Sequence, residues 1–242
     1  MSSSDKHLQA NLKALTERIT VAAARAARPS ESIALIAVSK TFPAEAVVAL
    51  ARCGQRQFGE NYVQEALAKI AAVRAAAPEL PLLWHFIGPI QSNKTRQIAE
   101  HFDWVQSVDR LKIAQRLSEQ RPAHLPPLNV LLQVNISGEA SKSGVKPEDL
   151  PSIAREVAAL PRLRLRGLMA IPEPNDDPVQ QQMPLAAMKR LFDAQRVVAQ
   201  RTAGSADWDT LSMGMSADLE AAIGQGATMV RVGTALFGER GK

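Results

Sequence analysis

The chain is poor in several things, and each scarcity excludes something. Cys53 is the one cysteine in 242 residues. No intrachain disulfide and no cysteine-built zinc site can form, and a reducing, cytoplasmic setting is the expectation. Aromatic residues make up 4% of the chain, with a single tyrosine, Tyr62. Trp84, Trp104 and Trp208 fall in or beside apolar runs and read as packing rather than as stacking platforms. No apolar run approaches the ~18 residues of a membrane-spanning helix, and the opening MSSSDKHLQANL has no apolar core of signal-peptide length. His101 and His124 lack neighbours at metal-ligand spacing, so no metal is expected. No Gly-x-Gly-x-x-Gly follows the first apolar run, which removes the common dinucleotide fingerprint. Charge is not gathered either. The net charge of +5 is scattered among acids, and only RLRLR (162–166) is dense. A solvated basic surface is the reading, without nucleic acid as a partner.

What is present is ordinary for a globular protein: 46% hydrophobic and 22% charged residues. The length allows a large core without disulfides or metal. Leu8, Leu12, Leu15 and Ile19 share one helical face and Pro29 follows, so residues 1–28 form a helix packed on the rest. Apolar runs then recur at 33–38, 55–59, 82–88, 104–108, 128–135, 163–171, 209–214 and 229–234. Helical segments such as PAEAVVALARC, NYVQEALAKIAAVRAA, RLKIAQRLSEQ and PLAAMKRLFDAQRVVAQR lie between them. Strict alternation implies a parallel sheet, and eight such units fit an α/β fold of the (β/α)8 TIM-barrel type. A single domain over 1–242 is expected, with IPEPNDDPVQQQMP (171–184) as a long loop after the sixth strand.

The first apolar run, ALIAVSK (34–40), delivers Lys40 to a strand end, where barrels collect their chemistry. A desolvated lysine sheds its proton readily and is then a Schiff-base or general-base candidate; the alternative is a side chain that snorkels to solvent. The other strand ends supply GEN (59–61), HFIGPIQSNK (85–94), Ser107, Asn135, Met169, SMGMS (212–216) and RVGT (231–234). Loops after the seventh and eighth strands of a barrel are a frequent phosphate site. Gly233 and Thr234 lead into a short helix and offer N–H groups and a hydroxyl to an anion. Ser212 and Ser216, around Gly214, add donors, unless both turns are merely capped. Alternation places Arg231 on the face of Met229 and Gly233. Arginine only donates hydrogen bonds, so it faces either an unprotonated ring nitrogen or an acid such as Glu60.

A lysine for an imine, a phosphate cup and an arginine opposite a ring nitrogen together describe pyridoxal 5′-phosphate. The motifs AVSKTFPAE, FGENYVQEA, WHFIGPIQSNK, VNISGEASKSGV, LRGLMAIPE, LSMGMSADLEAAI and VRVGTALFGER span nearly the whole chain. Together they resemble the pyridoxal phosphate homeostasis protein family, which shares the fold-type III barrel of the alanine racemase N-terminal domain. The resemblance implies a Schiff base on Lys40 and a phosphate held around Ser212, Ser216, Gly233 and Thr234, with Met213 and Gly214 lining that turn. It also implies Arg231 at the pyridine nitrogen, with Asn61 and His85 close to the ring.

The function so implied is cofactor buffering, carriage or delivery and amino-acid balance, with pyridoxal 5′-phosphate-dependent apo-enzymes as recipients and no catalytic residues. The alternative is an amino-acid racemase or lyase. A racemase needs a base on each side of the α-carbon; in the related racemases a partner-subunit tyrosine and a C-terminal β-domain complete the site. Here Tyr62 adjoins Asn61 and no β-domain is read, so a non-enzymatic monomer is expected. Lys142, in SKSG, is either a solvated lysine or a second landing point for the cofactor. Cys53 reads as a small packed side chain.

Overall fold

Each apolar run becomes a strand, and the eight strands are parallel neighbours in chain order, closing into a barrel. The computed structural model describes residues 3–138, 143–173, 175, 177–203 and 207–238; Lys142 lies outside them. The order is α1 (Ser3–Arg25), β1 (Ala34–Val38), α2 (Ala44–Arg52), β2 (Gln57–Glu60), α3 (Val63–Ala76), β3 (Leu83–Phe86), α4 (Thr95–His101) and β4 (Trp104–Val108). It continues with α5 (Leu111–Gln120), β5 (Leu128–Gln133), α6 (Leu150–Ala158), β6 (Leu163–Met169), α7 (Pro178–Ala203), β7 (Thr210–Ser212), α8 (Leu219–Gly224), β8 (Met229–Val232) and α9 (Thr234–Phe237). All strands but β2, which runs one residue further, lie within the runs read from sequence. The ring closes where β1 pairs with β8, setting Ile36 beside Arg231.

Successive residues of a strand face opposite ways, and the core is divided accordingly. Ile36, Trp104, Leu131, Met169 and Met229 form a small cluster inside the barrel. Ala37, Phe58, Val130, Leu168 and Val230 belong to the large layer shared with helix residues such as Val47, Ile70, Ile113, Val157 and Leu185. Among the described residues no helix is long and apolar enough to cross a membrane.

One boundary departs from the sequence reading. The segment 171–184 is not all loop, because α7 already begins at Pro178. The Asp177 carboxylate accepts the Val179 N–H (2.8 Å) and its carbonyl accepts the Gln181 N–H (2.9 Å). Pro178 then takes the first helical position, where no N–H is needed.

The N-terminal helix braces the loops that will matter. Arg18 donates to both Glu220 oxygens (2.8 and 3.0 Å) and to the Ser216 carbonyl (3.2 Å), while Asn11 donates to the Leu236 carbonyl (2.9 Å). Phe42, just after β1, stacks on Phe237 of α9 with ring centroids 4.6 Å apart. On the other side of the mouth, backbone rests on backbone. A Cβ on Gly88 would lie 2.1 Å from the Asn61 carbonyl oxygen, and the Gly88 carbonyl accepts the Ser107 hydroxyl (2.6 Å). Gly88→Ala should therefore lower stability by about 1–3 kcal/mol, the usual range for overpacking. Chemical denaturation checks this; a midpoint equal to the parent's would show that the two loops move apart freely.

Candidate cofactor site at the barrel mouth

Lys40 stands between two peptides that are held from outside the barrel. Buried Ser39 donates its N–H to the Gly59 carbonyl (3.0 Å) and its hydroxyl to Glu60 Oε1 (2.6 Å). Thr41 adopts a left-handed backbone, φ 68°, and donates its N–H to Glu65 Oε1 (2.5 Å). Between these anchors lies Lys69 of α3, whose Nζ donates to the Ser39 carbonyl (2.6 Å), to Glu60 (2.7 Å) and to Glu65 (2.9 Å). Burial pushes the Glu60 carboxyl up from its ordinary pKa, and Lys69 opposes that rise.

Lys40 opens into a cavity of about 370 Å³, within the ~300–1,000 Å³ common for small-molecule sites. Asn61, Ser216, Arg231, Gly233 and Thr234 line it too, together with Val38, Phe42, Ile87, Ile171 and Met215. Lys40 and Arg231 are its titratable groups among the described lining residues. A second cavity of about 430 Å³ adjoins it across Asn61, Ile87 and Ile171 and carries Gln133, Asn135, Ser137 and Glu173. Asn61 Oδ1 is buried without a hydrogen-bond partner, so the wall of the first cavity holds an acceptor that a ligand donor would satisfy.

Arg231 is 4% exposed, and its bonds go to neutral oxygens. Nη1 donates to Ser212 Oγ (2.6 Å) and Nη2 to the Ala170 carbonyl (2.8 Å). Glu60, the acid considered from sequence, is engaged instead with Lys69 on the outer face of the wall. Burial lowers the Arg231 pKa to about 10, with Asp218 pulling the other way, so the guanidinium is cationic at neutral pH.

Four of the residues singled out from sequence do not line this cavity. The Ser212 hydroxyl is fully buried, accepting from Arg231 and donating to Gln106 Oε1 (2.7 Å). Met213 packs in the layer between strands and helices. Gly214 shapes the turn: its φ is +95° and a Cβ would meet the Ala222 Cβ at 2.5 Å, which leaves glycine alone suited to the position. Its carbonyl accepts the Arg231 N–H (2.9 Å). His85 sits inside the barrel, 5.4 Å from the Trp104 ring, with Nδ1 against Gln106 Nε2 (3.0 Å) and Nε2 against Gln57 Oε1 (3.1 Å).

These interior groups form one directed chain. Arginine can only donate, so Ser212 accepts from it and passes its own proton to Gln106 Oε1. Gln106 therefore turns its NH2 toward His85 Nδ1, and the imidazole carries its proton on Nε2, donating to Gln57. Sequence reasoning missed Gln106 and Gln57, although alternation in WVQSV puts Gln106 on the face of Trp104. It also missed Lys69, signalled by the helical i,i+4 spacing of Glu65 and Lys69.

Burial lowers the His85 pKa to about 3, below the ordinary 6.5 that the unfolded chain keeps. Between those values the unfolded state binds the extra proton. Stability should be full above about pH 6.5 and fall as pH drops toward 3, by up to about 1.4 kcal/mol per pH unit from this group. Nitrogen NMR should find a neutral, Nε2-protonated ring at pH 5, and His85→Gln should flatten the acid limb. A ring titrating near 6.5 would break the chain as described.

Residues 10–241 match the family described as alanine racemase, N-terminal domain. The chain is 61% identical over 230 residues to the pyridoxal phosphate homeostasis protein of Pseudomonas aeruginosa, covering 95% of this chain and 94% of that one. It is 53% identical over 234 residues to the protein of the same name from Escherichia coli K12, covering 95% of each. Among solved structures, PipY of Synechococcus elongatus with pyridoxal phosphate bound aligns with a TM-score of 0.75 and 37% identity, over 92% of this chain and 99% of that one. The barrel, its mouth and these full-length identities agree: the chain belongs to the pyridoxal phosphate homeostasis protein family, built on the alanine racemase N-terminal barrel.

Proposed function

We propose that this chain binds pyridoxal 5′-phosphate through Lys40 and serves intracellular supply of the cofactor as a carrier rather than as an enzyme. The observation that carries this reading is the convergence of Lys40, Arg231, Asn61 and Thr234 on one cavity. When bound, the cofactor supplies an aldehyde that condenses with a primary amine, with loss of water. The residues here fit that group. Lys40 offers the amine, the orphaned Asn61 amide offers a polar contact beside it, and Arg231 offers a fixed cation that only donates. Ser216 and Thr234 offer hydroxyls where the loops after β7 and β8 meet, the place barrels favour for phosphate. Ser212 takes no part in this cup, because its hydroxyl is spent on Arg231 and Gln106.

The absence of turnover rests on proton chemistry. Racemisation needs a proton acceptor on each side of the reacting carbon. Beside Lys40, the other titratable group lining the cavity among the described residues is Arg231, held as a cation. Tyr62 is 55% exposed and is not among the lining residues. An arginine against a ring nitrogen also keeps that nitrogen unprotonated, which weakens the ring as an electron sink. A monomer that exchanges cofactor with apo-enzymes in the cytoplasm is the reading we adopt.

Borohydride treatment of the protein incubated with pyridoxal 5′-phosphate should fix a pyridoxyl group on Lys40, located by peptide mass mapping; a label on surface lysines alone would overturn the assignment. Solvent deuterium should enter added amino acids no faster than background, and rapid exchange would favour the racemase reading. Thr234→Val combined with Ser216→Ala should weaken pyridoxal 5′-phosphate at least about tenfold, since each hydrogen bond to a charged group contributes about 1.5–3 kcal/mol. Pyridoxal, which lacks the phosphate, should bind the variant and the parent alike.

A further inference from the structure

We propose that Lys69 is a positioning residue for Lys40: its buried ammonium, held between Glu60 and Glu65, fixes the peptides on both sides of Lys40 and so aims that side chain into the cavity. This rests on the preceding reading that Lys40 is the reacting amine.

The geometry argues for more than a prop between α3 and the barrel. An ammonium has three N–H donors, and all three of Lys69's are used, on Ser39, Glu60 and Glu65. Each partner leads to the same place. The Ser39 carbonyl belongs to the residue before Lys40. Glu60 accepts the Ser39 hydroxyl. Glu65 accepts the N–H of Thr41, the residue after it. The Lys69 side chain is 5% exposed and that of Glu60 is fully buried, while that of Glu65 is about one-third exposed. The ammonium's donors are complete, whereas Glu60 bonds through Oε1 alone and its Oε2 is buried without a partner, so the carboxylate depends on the Lys69 cation to stay in so dry a setting.

The backbone explains why such a clamp is needed. Thr41 has φ 68°, a conformation a β-branched residue holds only where its surroundings enforce it. Released from Glu65, the Thr41 peptide would relax to negative φ and turn the chain at Lys40 with it. Lys69, saturated and walled off, is not itself a nucleophile; it acts through Lys40.

Lys69→Met alone would strand the Glu60 carboxylate without a cation, so the test variant combines it with Glu60→Gln, which keeps an acceptor for Ser39. Two readouts are taken on cooperatively folded protein. In ligand-free protein, the Thr41 amide should exchange with deuterium at least about tenfold faster than in the parent, while amides of β5 keep the parent rate. With pyridoxal 5′-phosphate, borohydride trapping at Lys40 should slow at least about tenfold relative to surface lysines in the same digest. A uniform rise in exchange across the barrel would overturn the proposal, since that is the mark of a general prop. Unchanged trapping at Lys40, with or without faster exchange at Thr41, would overturn it as well. If the parent itself takes no label at Lys40, the Schiff-base reading fails instead, and the exchange measurement alone decides whether the clamp exists.

Discussion

Burying one positive charge inside the barrel sets the terms for everything around it. The Arg231 guanidinium is 4% exposed, and bringing an ion this far from water costs several kcal/mol unless its donors are met. Two of them are met by neutral oxygens, Ser212 Oγ and the Ala170 carbonyl. Neither of those bonds is to a carboxylate, and the acid that acts on the charge, Asp218, does so through space rather than through a hydrogen bond. The guanidinium also dictates the hydrogen-bond sense of Ser212, Gln106, His85 and Gln57, each donor oriented by the one before.

Lys69 solves the same problem on the opposite face of the wall in the opposite way. There the cation is matched with two carboxylates, Glu60 and Glu65. The two arrangements keep their charges separate, though Glu60 and Arg231 both sit at strand ends of one barrel. Strand alternation is the insulator. Odd and even residues cannot reach across the sheet, so an acid two strands away in the ring is neutralised by the helix layer and never quenches the arginine inside.

Much of this was legible in the sequence, and each departure has its own physical cause. The eight apolar runs gave all eight strands, because parallel strands buried on both faces read as continuous hydrophobic segments. The strand-end rule likewise found Lys40, Asn61, Ser216, Arg231, Gly233 and Thr234, which do share a cavity. A strand end in sequence carries no depth, however. Ser212 and His85 occupy positions just below the mouth, where a hydroxyl and an imidazole bond to other interior side chains and stay out of the cavity lining. The start of α7 was hidden because proline and aspartate usually announce a loop, and only the Asp177 cap reveals that here they open a helix. Lys69 was passed over because a lysine in an amphipathic helix is usually solvated, and its burial depends on partners brought up by two other strands.

The contact between Gly88 and Asn61 is made by main-chain atoms alone. The placement of Asn61 at the cavity wall is thus inherited from the path of two loops rather than from the shapes of the side chains near it. An exposed neighbour such as Tyr62 can change in size over many generations of mutation without touching this contact, whereas a single methyl group at position 88 meets the Asn61 carbonyl at once. Tolerance at this rim therefore belongs to its exposed side chains, and intolerance to one hydrogen atom of one glycine.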